Sequence, residues 1–155
     1  MHALEVNTIP YVMLLRYILP KLVERNSRSG VINVTSHAAT NIRARSFTYS
    51  PTKRFEDQVS HSLAHEFSKK IDMMSVRPLF FSSSLTNLKP TKSGTVLSAA
   101  QCASGALDKL GYETRTAGHW MHNLQASLIH ALTAILPESI YSAAVKRATG
   151  APRSE

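Results

Sequence analysis

Residues 30–36 read GVINVTS, a short β-branched run that follows the polar stretch ERNSRSG. Val31, Ile32 and Val34 leave almost no polar interruption. A strand with one wet face alternates apolar and polar residues, whereas a near-continuous apolar run suits a strand of a parallel sheet covered on both faces. Parallel neighbours need crossovers, so such a strand asks for helices before and after it. Residues 4–25 meet this demand on one side, with Tyr11, Leu14, Leu15, Ile18 and Leu22 at helical spacing and Pro10 and Pro20 placed to break or kink the helix. Residues 50–70 predict a second helix, with Ser50 as N-cap, Pro51 at the first helical position, and Phe55, Val59, Leu63 and Phe67 on one stripe.

The remainder continues the alternation. Residues 71–78, IDMMSVRP, predict a second strand that ends at a proline. Residues 79–94 read as a loop with one short helix, and 95–110 as a helix ended by Gly111. Residues 113–120 give a third, weaker strand, and helices over 124–136 and 138–148 close the chain. The expected fold class is α/β, with helices layered on a parallel sheet of about three strands.

Composition narrows the function classes. With 155 residues and 43% apolar content, the chain fits one domain with one modest core. The lone Cys102 excludes an intrachain disulfide and a cysteine-rich zinc site, and it fits a reducing compartment. The formal charge of +8 favours phosphate-bearing ligands or anionic lipid. The basic residues, among them Arg16, Lys21, Arg25, Arg28, Arg43, Arg45, Lys53, Arg54, Lys69 and Lys70, are spread over several segments without interleaved aromatics, so nucleic acid is not the expected partner. The N-terminal stretch lacks the basic start and small-residue cleavage site of a signal peptide. No apolar run reaches the roughly 18 residues of a membrane span. ASLIHALTAILP, residues 126–137, comes nearest and fits a core helix, a pairing surface or a membrane-surface contact.

The chemistry gathers in FTYSPTKRF, residues 47–55. Tyr49 and Lys53 stand four apart at the start of a helix and share a face. An ammonium beside a phenol favours the phenolate, and a phenol tuned in this way can donate or accept a proton near neutral pH. The spacing alone is weak, since it arises by chance in roughly one chain in five of this length. Its setting adds weight. Ser36 closes the first strand, and ligands of open parallel sheets gather at the carboxyl ends of strands. Asn7 lies in the first helix. Arg77 and Pro78 close the second strand, and hydroxyls follow at Ser82, Ser83, Ser84 and Thr86.

Four features, EVNT with Asn7, INVTS with Ser36, YSPTK with Tyr49 and Lys53, and SVRP with Pro78, together resemble the short-chain dehydrogenase/reductase family in order and spacing. LRYILPKLVER and the C-terminal TRTAGHWMHNL and LIHALTAILPESIY resemble its 17-beta-hydroxysteroid dehydrogenase and very-long-chain 3-oxoacyl-CoA reductase branch. The resemblance covers nearly the whole chain but only the second half of the family's fold. It implies a partial Rossmann-type three-layer architecture and NADP or NAD as cofactor, with ketone–alcohol interconversion on a steroid or long-chain 3-oxoacyl thioester. By the same resemblance Tyr49 is the general acid. Lys53 lowers its pKa and holds the nicotinamide ribose, and Ser36 polarises the carbonyl. Asn7 supports a proton-relaying water, and Pro78 and Ser83 line the nicotinamide. The branch also implies the endoplasmic reticulum membrane, the alternative being the cytoplasm.

The pattern breaks in one respect that matters. The family's glycine-rich turn, which receives the pyrophosphate at a helix N-terminus, has no counterpart: SRSGV precedes a strand and ATGAP ends the chain. The expectation is a single truncated domain over 1–155, lacking the nucleotide-binding half and inactive alone. The strand at 30–36 is then expected to carry an open apolar edge, which a second copy or a partner chain would cover. A non-catalytic scaffold or assembly subunit derived from the family is the competing expectation. Pro51, His37 and Leu79 are smaller departures from the family pattern. His61 with His65 and His119 with His122 read as surface histidines rather than a metal site, and Cys102 as a small buried hydrophobe.

Overall fold

A computed structural model describes residues 2–41, 46–84 and 86–148. Arg43, Arg45 and Gly150 lie outside them. The first expected helix is two: α1 (His2–Asn7) and α2 (Ile9–Val23), interrupted at Thr8. Pro10 accounts for the interruption, because its missing N–H cannot continue the α1 ladder. Pro20 is accommodated inside α2. Strand β1 (Ser29–Val34) follows, then a 3₁₀ turn (His37–Ala39), helix α3 (Tyr49–Glu66) and strand β2 (Ile71–Val76). β3 (Phe81–Ser82) and β4 (Leu97–Ser98) are two-residue strands paired with each other in parallel. Helix α4 (Ala99–Leu107), strand β5 (Arg115–Thr116) and helices α5 (Trp120–Ile135) and α6 (Glu138–Ala148) complete the chain.

The main sheet is parallel throughout, in the order β1-β2-β5. Val31 sits opposite Met73 and Ile32 opposite Met74, so the pleat sends alternate residues to opposite faces. On one face Ile71 and Met73 pack with Leu15, Leu19 and Ala64, which brings α2 and α3 against the sheet. On the other, Met74 and Val76 pack with Ala106 of α4, flanked by Ile32 and Leu110. The result is a three-layer α/β arrangement, as the resemblance implies. Among the described residues β1 pairs only with β2, and Val34 at its end is 60% exposed.

Several local expectations are corrected. α3 begins at Tyr49 with Thr48 at the N-cap, so Ser50 is helical and Pro51 lies in the first turn. Of its expected apolar stripe, Val59, Leu63 and Phe67 pack against the core and Phe55 is 42% exposed, while the fully enclosed residues are Thr52, Glu56, Asp57, Ser60 and Ala64. Leu14 is exposed, and the buried leucines of α2 are Leu15 and Leu19. The helix expected over 95–110 starts later, where Ser98 and Gln101 form a reciprocal capping box. The third strand contracts to Arg115–Thr116. His122 is fully buried rather than at the surface. Cys102 is buried, and Ala106 on the same helix with it.

Candidate active site

Tyr49 opens α3 and is partly exposed, while Thr52 behind it is completely buried. The Thr52 hydroxyl donates to the Tyr49 carbonyl at 2.8 Å and accepts from the Asn7 side-chain amide at 3.1 Å. Asn7 is the last residue of α1, so the Pro10 interruption leaves its amide pointing across to the first turn of α3. Lys53 lies on the same helix with its Nζ 5.9 Å from the centre of the Tyr49 ring, close enough for a weak cation–π attraction. Its hydrogen bonds go elsewhere: Nζ donates to both Glu56 carboxylate oxygens, at 2.8 and 3.1 Å. One turn further on, the Tyr11 hydroxyl donates to the Glu56 carbonyl at 3.1 Å. Burial drives the Tyr11 phenol well above its usual pKa, and the Glu56 and Asp57 carboxylates push the same way.

Ser36 follows β1, where its hydroxyl caps the 3₁₀ turn by accepting from the Ala38 N–H at 3.1 Å. That turn packs on α3 and is tied to the end of β2, because the His37 N–H donates to the Pro78 carbonyl at 3.0 Å. Ser36 and Pro78 therefore share the carboxyl edge of the sheet. Ser83 stands apart: its hydroxyl exchanges hydrogen bonds with Thr86 in a local turn after β3. The structure thus joins Asn7 to the helix of Tyr49 and Lys53 and brings Ser36 to Pro78. Among the described residues it gives Ser83 only local partners.

Glu56, the partner of Lys53, was not singled out from sequence, although its i+3 spacing is an ordinary ion-pair signal. Asp57 was also missed as a junction. It is buried, accepts from the Ser75 hydroxyl at 2.6 Å, and faces Arg115 at 3.0 Å and Arg77 at 3.9 Å. Its carboxylate joins α3 to β2 and β5.

The described residues do not fit a whole nicotinamide dinucleotide. Their one glycine-bearing strand-to-helix turn is the link from β5 to α5, where Gly118 has φ +85°. There the His119 ring already accepts the Met121 N–H at the N-terminus of α5. The α4 N-terminus is closed by its own capping box. No described group of three or more histidine, cysteine or acidic side chains could hold a metal ion.

Comparison with known proteins agrees with this architecture. The short chain dehydrogenase family profile matches residues 1–93, and the chain belongs to that family. It is 32% identical to the very-long-chain 3-oxoacyl-CoA reductase of Rattus norvegicus, over 89% of this chain and 43% of that protein. It is 28% identical to the inactive hydroxysteroid dehydrogenase-like protein 1 of Homo sapiens, over 79% of this chain and 38% of that one. The relatives therefore fall in the hydroxysteroid dehydrogenase and 3-oxoacyl-CoA reductase branch, and the chain spans less than half of their length. Among solved structures, a 7beta-hydroxysteroid dehydrogenase superimposes with a TM-score of 0.74 at 20% identity, covering 92% of this chain and 56% of that one. A 3-ketoacyl-(acyl-carrier-protein) reductase from Brucella melitensis, complexed with NADH, gives 0.64 at 20% identity, over 73% and 52%.

Proposed function

We propose that residues 1–155 form one domain, the second half of a short-chain dehydrogenase fold, and carry the proton-transfer side of an NAD(P)(H)-dependent ketone–alcohol interconversion. The link from Asn7 through the Thr52 hydroxyl to the Tyr49 carbonyl carries this reading, because it puts two parts of the motif, distant in sequence, at one helix start. In this reading the Tyr49 phenol donates its proton to the oxygen of a substrate ketone. Lys53 supplies positive charge beside it, and Ser36 offers its hydroxyl to the same carbonyl. Asn7 orders the approach to Lys53. The substrate is a long-chain 3-oxoacyl thioester or a steroid, as the names of the relatives suggest. The hydride is the cofactor's contribution, and no step of its delivery is assigned to the described residues. A second copy or a partner chain covering the open edge of β1 belongs to the same proposal.

The Lys53–Glu56 pair favours a second reading. An ammonium held by a carboxylate on its own helix is less available to tune a phenol, as suits a non-catalytic subunit. The two separate by experiment. Fusion of the glycine-rich half of a 3-oxoacyl-CoA reductase ahead of residue 1 is expected to give NADPH-dependent ketone reduction. Tyr49→Phe in that fusion should lower kcat by about 10²- to 10⁴-fold. Unchanged turnover in Tyr49→Phe would remove the assigned acid, and a folded, cofactor-binding fusion without turnover would favour the scaffold.

A further inference from the structure

A cleft of about 560 Å³ lies on the other flank of α3 from the candidate active site. At about 100° per residue, Thr52 and Glu56 face α1 and α2, while Arg54 and Gln58 fall nearly opposite. None of Asn7, Ser36, Tyr49 and Lys53 lines it. Arg54, Arg77 and Arg115 do, with Asp57 as the only carboxylate among the lining residues.

We infer that this cleft is an anion site that takes the phosphoryl group of a small phosphorylated ligand. The charge balance points that way. Asp57 offsets one guanidinium and is already engaged by the Ser75 hydroxyl and by Arg115, with Arg77 more distant at 3.9 Å. Two guanidinium charges remain uncompensated within the cleft. Among the described residues Arg54 makes only a long contact, 3.4 Å, to the Ala39 carbonyl. The Nε of Arg115 is buried and donates to no acceptor among the described residues. A buried N–H without an acceptor is costly, so the Arg115 guanidinium is incompletely satisfied by the described residues. Arg77 is disfavoured in its charged form by burial, and neighbouring Arg115 adds to this against the attraction of Asp57. A bound dianion relieves that repulsion. Guanidinium forks match phosphoryl oxygens in pairs, which lysines would not do. Ala39, Ala117, Ala126 and Ala131 are among the other lining residues, and their short side chains leave space for an organic portion.

The test is calorimetric titration of the 155-residue chain with sodium pyrophosphate at physiological ionic strength, in a phosphate-free buffer. Saturable one-to-one binding is expected. Arg77→Gln and Arg115→Gln should each weaken it by at least about tenfold. Because both residues also brace Asp57, the exposed Arg54→Gln gives a variant whose fold does not depend on that junction. It should weaken binding at least about threefold with an unchanged circular dichroism spectrum. Lys92→Gln, an exposed cation outside the cleft, should bind as the parent does. Absence of saturable binding, an equal loss in Lys92→Gln, or full affinity in Arg54→Gln would overturn the inference. Competition by AMP against pyrophosphate would identify an organic phosphate as the ligand; pyrophosphate binding that AMP cannot displace would assign the cleft to inorganic anions.

Discussion

Asn7 and Thr52, 45 positions apart, meet through a 3.1 Å hydrogen bond that fastens the end of α1 to the first turn of α3. Thr52 is fully buried, so its hydroxyl depends on these protein partners rather than on water. Asn7→Ala removes one donor and should cost about 1 kcal/mol, and Thr52→Val more, since it also loses the bond to the Tyr49 carbonyl. The double variant should cost less than the sum, because both changes delete the same contact. Urea midpoints at constant m-value measure all three.

Lys53 and Glu56 form an ion pair whose side chains are 16% and 7% exposed. Glu56→Ala leaves an ammonium with little water and no carboxylate, at an expected cost of about 3 kcal/mol. Lys53→Met combined with Glu56→Leu removes both charges and should recover most of that loss. Thermal melts of the single and double variants check the sign.

Tyr11 predicts an alkaline limit. Its phenol titrates higher in the folded chain than in the unfolded one, so the unfolded chain gives up its proton first as pH rises. The stability it contributes is complete below about pH 10, the unfolded value, and declines above it. Tyr11→Phe should flatten the stability profile in that range, read by denaturation at pH 9 and pH 11.

His122 predicts an acid limit of opposite sense. Burial lowers its pKa most, the backbone groups of Phe80 and Ala117 oppose this, and the charge of His119 adds to the lowering. The folded chain therefore holds the ring neutral where the unfolded chain protonates it, and stability falls as pH drops below about 6.5. His61 is shifted downward as well, first by desolvation and then by Arg115, so His122→Leu should reduce the slope without abolishing it.

Gly105 decides between two effects of opposite sign. Alanine at a helix interior gains about 1 kcal/mol over glycine by propensity. Here the added Cβ would lie 3.0 Å from both the Gly118 carbonyl oxygen and the His119 Cα. Backbone cannot move aside as a side-chain tip can, and overpacking costs about 1–3 kcal/mol. Gly105→Ala is therefore expected to lower Tm.

The two long strands were legible because apolar β-branched residues at 31–34 and the run from Ile71 to Val76 admit few other readings. The strands β3 and β4 were not, since Phe81–Ser82 and Leu97–Ser98 carry no periodic signal and are defined by each other. α3 was legible in part, through Val59, Leu63 and Phe67, which pack against the core. Its enclosed face is polar, with Thr52 met by Asn7, Ser60 by Asn33, Glu56 by Lys53 and Asp57 by Ser75. Apolar periodicity cannot find a face whose burial is made tolerable by partners elsewhere in the chain. The motif residues were legible as types and order. Their mutual geometry was not, because the Asn7 amide and the Lys53 ammonium take partners that only the folded chain supplies.

β5 is two residues long, and its neighbours hold it with the Ser75 N–H to the Thr114 carbonyl and the Arg77 N–H to the Thr116 carbonyl. To these the chain adds the Arg115–Asp57 pair, and Asn123 fastens α5 to the strand through the Ala117 N–H. So short a seam sets a hierarchy of opening. Amide protons in α5 and α6 should exchange with solvent through a detachment that leaves β1, β2 and α3 protected, at a free energy below that of global unfolding. The same seam supplies Arg115 to the anion cleft, so a ligand there would act as a clasp, slowing exchange in the two helices it does not itself fold.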